Sequence, residues 1–411
     1  MPDRIDAFAT ATEMLAALRA GRISAVELLD LHRRRIERYN PALTAIVEPD
    51  LEGARGTAEA ADARRARGEN ASLLGLPMTL KESINVKGLR TTCGMTQWAS
   101  FRSEHDAPVT ARVKAAGAVI MGKTNVPPMP NAAVVMGVQG PLARSAEDLE
   151  LALDVAAGPD AGEDVAWRLA LPAARRERLA DFRVAVLPPV DWVPLDAEHL
   201  AAQDELASRL GRLGCQVKSI QPDRFGDHRK HYELYLTLLA AVTSARSTEE
   251  MRRHSLEVLR TRDDEWSRAQ QRGLQGVAAD YIAWHGQREQ YRAAWRAFFR
   301  DWDVLVAPAW LGPAFPHWDK PWPQTPESFR KTFAINGRPV LSELGLFYPG
   351  VSTLAGQPAT AFPVGVTKAG LPIGLQAIGP YLEDRTPIRF TALVARELGG
   401  FTRPPGYEAN G

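Results

Sequence analysis

An α/β fold is what this sequence predicts, and two stretches carry that expectation. In the first, Asp106-Ala107-Pro108 opens a helix with proline just inside its start. Gly117 follows as the helix cap, and Ala118-Val119-Ile120-Met121 reads as a buried strand. The second repeats the grammar: Val184-Ala185-Val186-Leu187 as a strand, an amphipathic helix over 196–213, Gly214 as its cap, then strand Cys215-Gln216-Val217. Helix, glycine and apolar strand in alternation are the mark of a sheet covered by helices.

The other elements follow in order. Ser24 and Glu27 have capping-box spacing, so a helix starts there. It carries Ala25, Leu28, Leu29, His32 and Ile36 on one face, and Asn40-Pro41 should stop it. An Ala- and Arg-rich helix over 51–67 reads as a surface helix, its Arg64-Arg65-Ala66-Arg67 run a solvated face. Leu74-Gly75-Leu76-Pro77-Met78-Thr79-Leu80 reads as a short buried strand that ends on Lys81-Glu82-Ser83. Residues 228–300 hold few glycines or prolines and should form a helical layer or insertion. Strands are expected at 303–308, 359–366 and 371–378, the last two joined at Lys368-Ala369-Gly370, before a closing helix over 386–398.

Composition narrows the function. With 411 residues, 45% hydrophobic, the chain has ample apolar surface for a core, which excludes disorder as its main state. Fifty basic against 49 acidic residues leave a net charge of +1, so no electrostatic footprint for nucleic acid exists. Cys93 and Cys215 are the only cysteines, too few for a disulfide scaffold or a four-cysteine zinc site, and they fit a reducing compartment. Residues 1–6 lack the basic start of a secretory signal, and no apolar run approaches the roughly 18 residues that span a bilayer. The expectation is a cytoplasmic protein with no membrane contact.

Chemistry-bearing residues are few. Lys81 stands out, because a lysine placed directly after an apolar strand should be carried inside, where burial favours its neutral, basic form. Pairing with Glu82 is the plainer alternative. His228 and His231, at i and i+3, lack further ligands and read as surface residues rather than a metal site; Asp223 and Asp227 are too close and loop-like to help. Ser328-Phe329-Arg330-Lys331 has Ser-x-x-Lys spacing without the companion motifs of serine acyl enzymes. Trp302, Trp310, Phe315, Trp318 and Trp322 either wall a pocket or pack a loop. No phosphate-binding loop or dinucleotide fingerprint occurs, so no cofactor and no metal are expected.

Residues 74–83, Thr91-Thr92-Cys93-Gly94-Met95, Gly122-Lys123-Thr124-Asn125, 140–149, Gly356-Gln357-Pro358-Ala359 and 370–376 together resemble, in order, the amidase-signature hydrolases. That resemblance implies one domain over 1–411: a mixed β-sheet core flanked by helices, N-terminal helices over 1–70 and a helix-rich part over 228–300. It also implies a Ser–cis-Ser–Lys triad, with Lys81 in the place of the lysine and a glycine-rich loop holding the oxyanion. The family carries both serines between the Gly-Lys-Thr-Asn strand and the Gly-Pro-Leu-Ala-Arg-Ser segment. Here no serine occurs from Lys123 to Gly140, and a serine-bearing stretch would join between Pro130 and Asn131.

The expected activity is therefore hydrolysis of a small amide, aryl amide or carbamate through a serine acyl-enzyme, by a monomer or homodimer. A catalytically inactive binding or scaffold protein is the alternative. A glutamine-hydrolysing component of a tRNA-linked amidotransferase ranks below both, since the charge is not biased towards RNA.

Overall fold

Helix starts follow their side-chain caps. The Glu27 N–H donates to Ser24 Oγ at 3.0 Å and the Ser24 N–H to the Glu27 carboxylate at 2.8 Å, opening α2 (Ala25–Leu43). The same box built from Thr10 and Glu13 opens α1 (Ala11–Arg19). α2 does not stop at Asn40-Pro41 but runs to Leu43. So near the helix end the proline forfeits only its own bond to the preceding turn. Thr44, left-handed at φ 47°, closes the helix with its N–H on the Asn40 carbonyl at 2.7 Å.

The computed structural model describes residues 5–126, 136–316 and 332–407, which fall into two compact units. In the first unit, β1 (Ile46–Pro49) leads to α3 (Leu51–Ala66), then to β2 (Pro77–Lys81), α4 (Pro108–Ala115), β3 (Val119–Thr124) and α5 (Ala146–Ala156). The sheet order is β1-β3-β2, with β3 antiparallel to β1 and parallel to β2. Residues 119–123 are all buried, as befits the central strand. Two glycines make this packing possible. A Cβ on Gly117 (φ +93°) would lie 2.8 Å from Leu74 Cα, and one on Gly122 (φ +146°) 2.5 Å from the Glu48 carbonyl oxygen.

The 74–80 stretch is only partly the buried strand that its composition suggests. Leu73, Leu74 and Leu76 are buried in the approach, whereas β2 itself lies at the sheet edge with Met78 and Thr79 half-buried. α3 buries an alanine face, Ala54, Ala58 and Ala61, and its arginine run is spent on Glu69 and Asp62.

The second unit is built on a five-stranded mixed sheet. Its strands are β4 (Arg183–Val186), β5 (Gln216–Ser219), β6 (Val304–Pro308), β9 (Ala359–Val366) and β10 (Pro372–Ile378), in the order β5-β4-β6-β10-β9. β4 pairs in parallel with β5 and β6, and β10 runs antiparallel to β6 and β9. A hairpin of β7 (Thr332–Ile335) and β8 (Arg338–Leu341) and helix α11 (Phe347–Thr353) lie between β6 and β9 in sequence. α6 (Ala197–Arg212) links β4 to β5, α12 (Arg385–Leu398) closes the unit, and α7 (Arg229–Thr243), α8 (Glu249–Arg260), α9 (Glu265–Gln275) and α10 (Ala278–Phe298) fill the helical stretch. Mixed sheets flanked by helices are thus the observed class. No helix among the described residues is long and apolar enough to cross a membrane.

His228 and His231 are not surface residues. Both are buried, 0% and 1% exposed, because α7 packs that face into an aromatic cluster where His231 stacks on Phe225 at 4.8 Å. Burial pushes their pKa values down to about 4 and about 3, with the Asp227 charge opposing the shift at His228 and His228 adding to it at His231. The folded protein keeps both neutral while the unfolded chain protonates near its ordinary value, so the stability they allow is complete above pH 6.5 and is lost as pH falls through 4 to 3. Urea unfolding should therefore show each costing about 2–3 kcal/mol between pH 7 and 4.5. The loss should shrink by about that amount in His231→Phe; an unchanged acid slope in that variant would contradict the assignment.

Candidate active site

Lys81 is the last residue of β2 and faces Thr124 in the parallel register with β3. The following Glu82 N–H donates to the Thr124 carbonyl at 2.9 Å, which holds the strand end against the Gly-Lys-Thr-Asn segment. The Lys81 side chain is half-buried rather than interior, and it has no hydrogen-bond or ion-pair partner among the described residues. The plain alternative, a pair with Glu82, does not form.

Glu82 is instead 3% exposed and turned onto the loop at 90–94. Its carboxylate accepts the backbone N–H of Cys93 at 2.8 Å and that of Thr92. The lysine that the fold does bury is Lys123, on β3, at 0% exposure. Its Nζ donates to Thr91 Oγ1 at 2.7 Å and to the Arg90 carbonyl. Burial pulls the Lys123 ammonium below the usual lysine range, and the charges of Glu82, Glu48 and Cys93 oppose that pull. Glu48, also buried, accepts from Arg90 Nε at 2.6 Å and from Arg102 at 3.4 Å.

The consequence is a loop pinned from both strands. Glu82 holds its amides, Lys123 its carbonyl and hydroxyl, and Cys93 and Gly94 take the left-handed turn at φ 51° and 69°. Glu82 and Lys123 are thus spent on this framework, whereas Lys81 has no hydrogen-bond or ion-pair partner among the described residues. Sequence reading singled out Lys81 but missed Glu82 and Lys123 as a pair of anchors. The available signal was their position, each charged residue adjoining a strand that must be buried.

The remaining candidates do not join this site. His228 Nε2 is occupied by Gln221 Oε1 at 2.5 Å, and no group of three metal-ligating side chains occurs among the described residues. Trp302 is buried, with its ring 6.4 Å from that of Phe298, and Trp310 stacks with Phe315 and meets Phe333, so these aromatics pack on one another. Trp318, Trp322 and the Ser328–Lys331 motif lie outside the described residues, as do residues 127–135 of the serine-free stretch.

Several known proteins are similar to this chain. The family model described as Amidase matches residues 27–133 and 128–387, two matches that meet at 128–133. A glutamyl-tRNA(Gln) amidotransferase component from Synechococcus is 26% identical over 465 aligned positions, covering 89% of this chain and 92% of that protein. The indoleacetamide hydrolase of Bradyrhizobium diazoefficiens is 25% identical, covering 91% and 84%. A bacterial aryl acylamidase of known structure superposes with a TM-score of 0.75 at 18% identity, over 95% of this chain and 96% of its own, which shows a shared fold. The 465 positions of the first alignment exceed the roughly 366 residues that make up 89% of 411, so about a hundred positions have no counterpart here.

If Lys123 is an anchor and Lys81 is not, unfolding free energies should separate them. Lys123→Met should cost about 2–3 kcal/mol by leaving the Arg90 carbonyl and the Thr91 hydroxyl without their buried partner. Lys81→Ala should cost under about 0.5 kcal/mol. Equal losses in urea titrations would contradict the division of roles.

Proposed function

Since the chain belongs to the amidase family, we propose that it hydrolyses the C–N bond of a small amide, with Lys81 as the base of a Ser–Ser–Lys relay. The observation that carries the reading is the isolation of Lys81: among the described residues, it is the charged side chain at the end of β2 not committed to holding the loop at 90–94. In this chemistry a serine hydroxyl attacks the amide carbonyl while its proton passes through the second serine towards the lysine amine. The amine leaves with a proton, and water then releases the acid from the acyl-enzyme. No serine occurs over 123–140, so the relay needs its serines from outside that stretch. The relatives' names, indoleacetamide hydrolase and aryl acylamidase, favour an aryl-bearing amide over a carbamate. Near-zero net charge and two free cysteines favour a cytoplasmic enzyme acting alone or as a homodimer, not one linked to RNA.

The serine-free stretch also favours a second reading, an amide-binding protein without turnover. Two measurements distinguish them: hydrolysis of 4-nitroacetanilide, and labelling by a fluorophosphonate probe that traps activated serines. The hydrolase reading predicts turnover that falls at least about 100-fold in Lys81→Ala, with labelling lost alongside. Saturable binding of the anilide with neither turnover nor labelling selects the binding protein.

A further inference from the structure

The second unit holds a crevice of about 450 Å³ lined by its own residues. Its walls are the segment after β4, including Asp191 and Trp192, Gln221 just past β5, and the turn into α7, including Asp227, His228 and Arg229. Both strands that feed it present their carboxyl ends. β4 and β5 pair in parallel, so both carboxyl ends open on the same side of the sheet, where the crevice lies.

The polar groups of the wall are fixed before any ligand arrives. Gln221 Nε2 donates to the Gly226 carbonyl at 2.7 Å, while its Oε1 meets His228 Nε2. Trp192 donates its indole N–H to the Asp227 carbonyl at 2.7 Å and stacks on Trp266 at 4.8 Å. His228 is held in the left-handed region at φ 64°, an expensive conformation for a side chain of this size, with its Nδ1 buried and unpartnered. The charge balance is also settled. Arg229 lies over the Trp192 ring at 5.1 Å and is neutralised by Asp227 at 3.4 Å and by Glu265. Asp191 is exposed and has no hydrogen-bond or ion-pair partner among the described residues.

We propose that this crevice binds a small organic ammonium ion, with Asp191 as its counter-ion. A rigid wall whose other charges and polar groups are already paired leaves the Asp191 carboxylate to attract a cation and to repel carboxylates.

Isothermal titration with benzylamine, benzyl alcohol and benzoate tests this. Benzylamine should bind saturably at one site, more tightly than benzyl alcohol, and benzoate should not bind. Asp191→Asn, a surface change that leaves the fold intact, should weaken benzylamine about fivefold, and Lys81→Ala should leave it unchanged. The proposal is overturned if benzyl alcohol binds as well as benzylamine, if Asp191→Asn has no effect, if Lys81→Ala abolishes binding, or if no saturable binding occurs.

Discussion

The first unit depends on a charge buried inside its central strand. Lys123 takes an ammonium group to zero exposure, a cost of several kcal/mol unless every proton finds a partner. Its bonds to Thr91 and Arg90, with Glu82 and Glu48 nearby, supply that compensation and in doing so decide where the loop at 90–94 must lie. Gly122, one residue earlier, lets β1 approach close enough to bring Glu48 into the same cluster. Lys81 is thereby left at the strand end with its side chain uncommitted. The framework accounts for the position of Lys81 without Lys81 taking part in it.

Much of this was legible from residue order. The Ser24 capping box, Pro108 at the helix start, the left-handed Gly117 and the strand at 359–366 are local signals, and all appear as read. Where tertiary contacts decide, local reading fell short. Pro41 sits in a helix whose last turn tolerates it. The histidines of α7 are interior because an aromatic cluster covers them, which spacing alone does not reveal. Lys81 and Lys123 offer the sharpest contrast. Both adjoin apolar strands, but only β3 is flanked on both sides, so only its lysine is carried inside.

The half-exposure of Lys81 has a counterpart in the helix that follows the serine-free stretch. α5 carries Leu149, Leu151, Leu153 and Val155, yet Asp148 is its one fully buried residue. Asp148 itself binds the first amides of α1 at 2.7 and 2.8 Å, so the helix is docked by its acid while its apolar side chains stay half-covered. Leu142, just before it, is fully exposed. Lys81 on an edge strand and the half-covered apolar side chains of α5 thus lie on either side of the serine-free stretch in sequence.

The central claim is that Lys81, held out of the framework around it, is the proposed base of a serine relay. The most direct measurement splices the corresponding segment of the Bradyrhizobium relative between Pro130 and Asn131 and follows hydrolysis of indole-3-acetamide. A folded splice should turn the amide over at least about 10³ times faster than the 411-residue chain, and Lys81→Ala in the splice should remove that gain. A folded splice with no gain, or a gain that survives Lys81→Ala, would contradict the account.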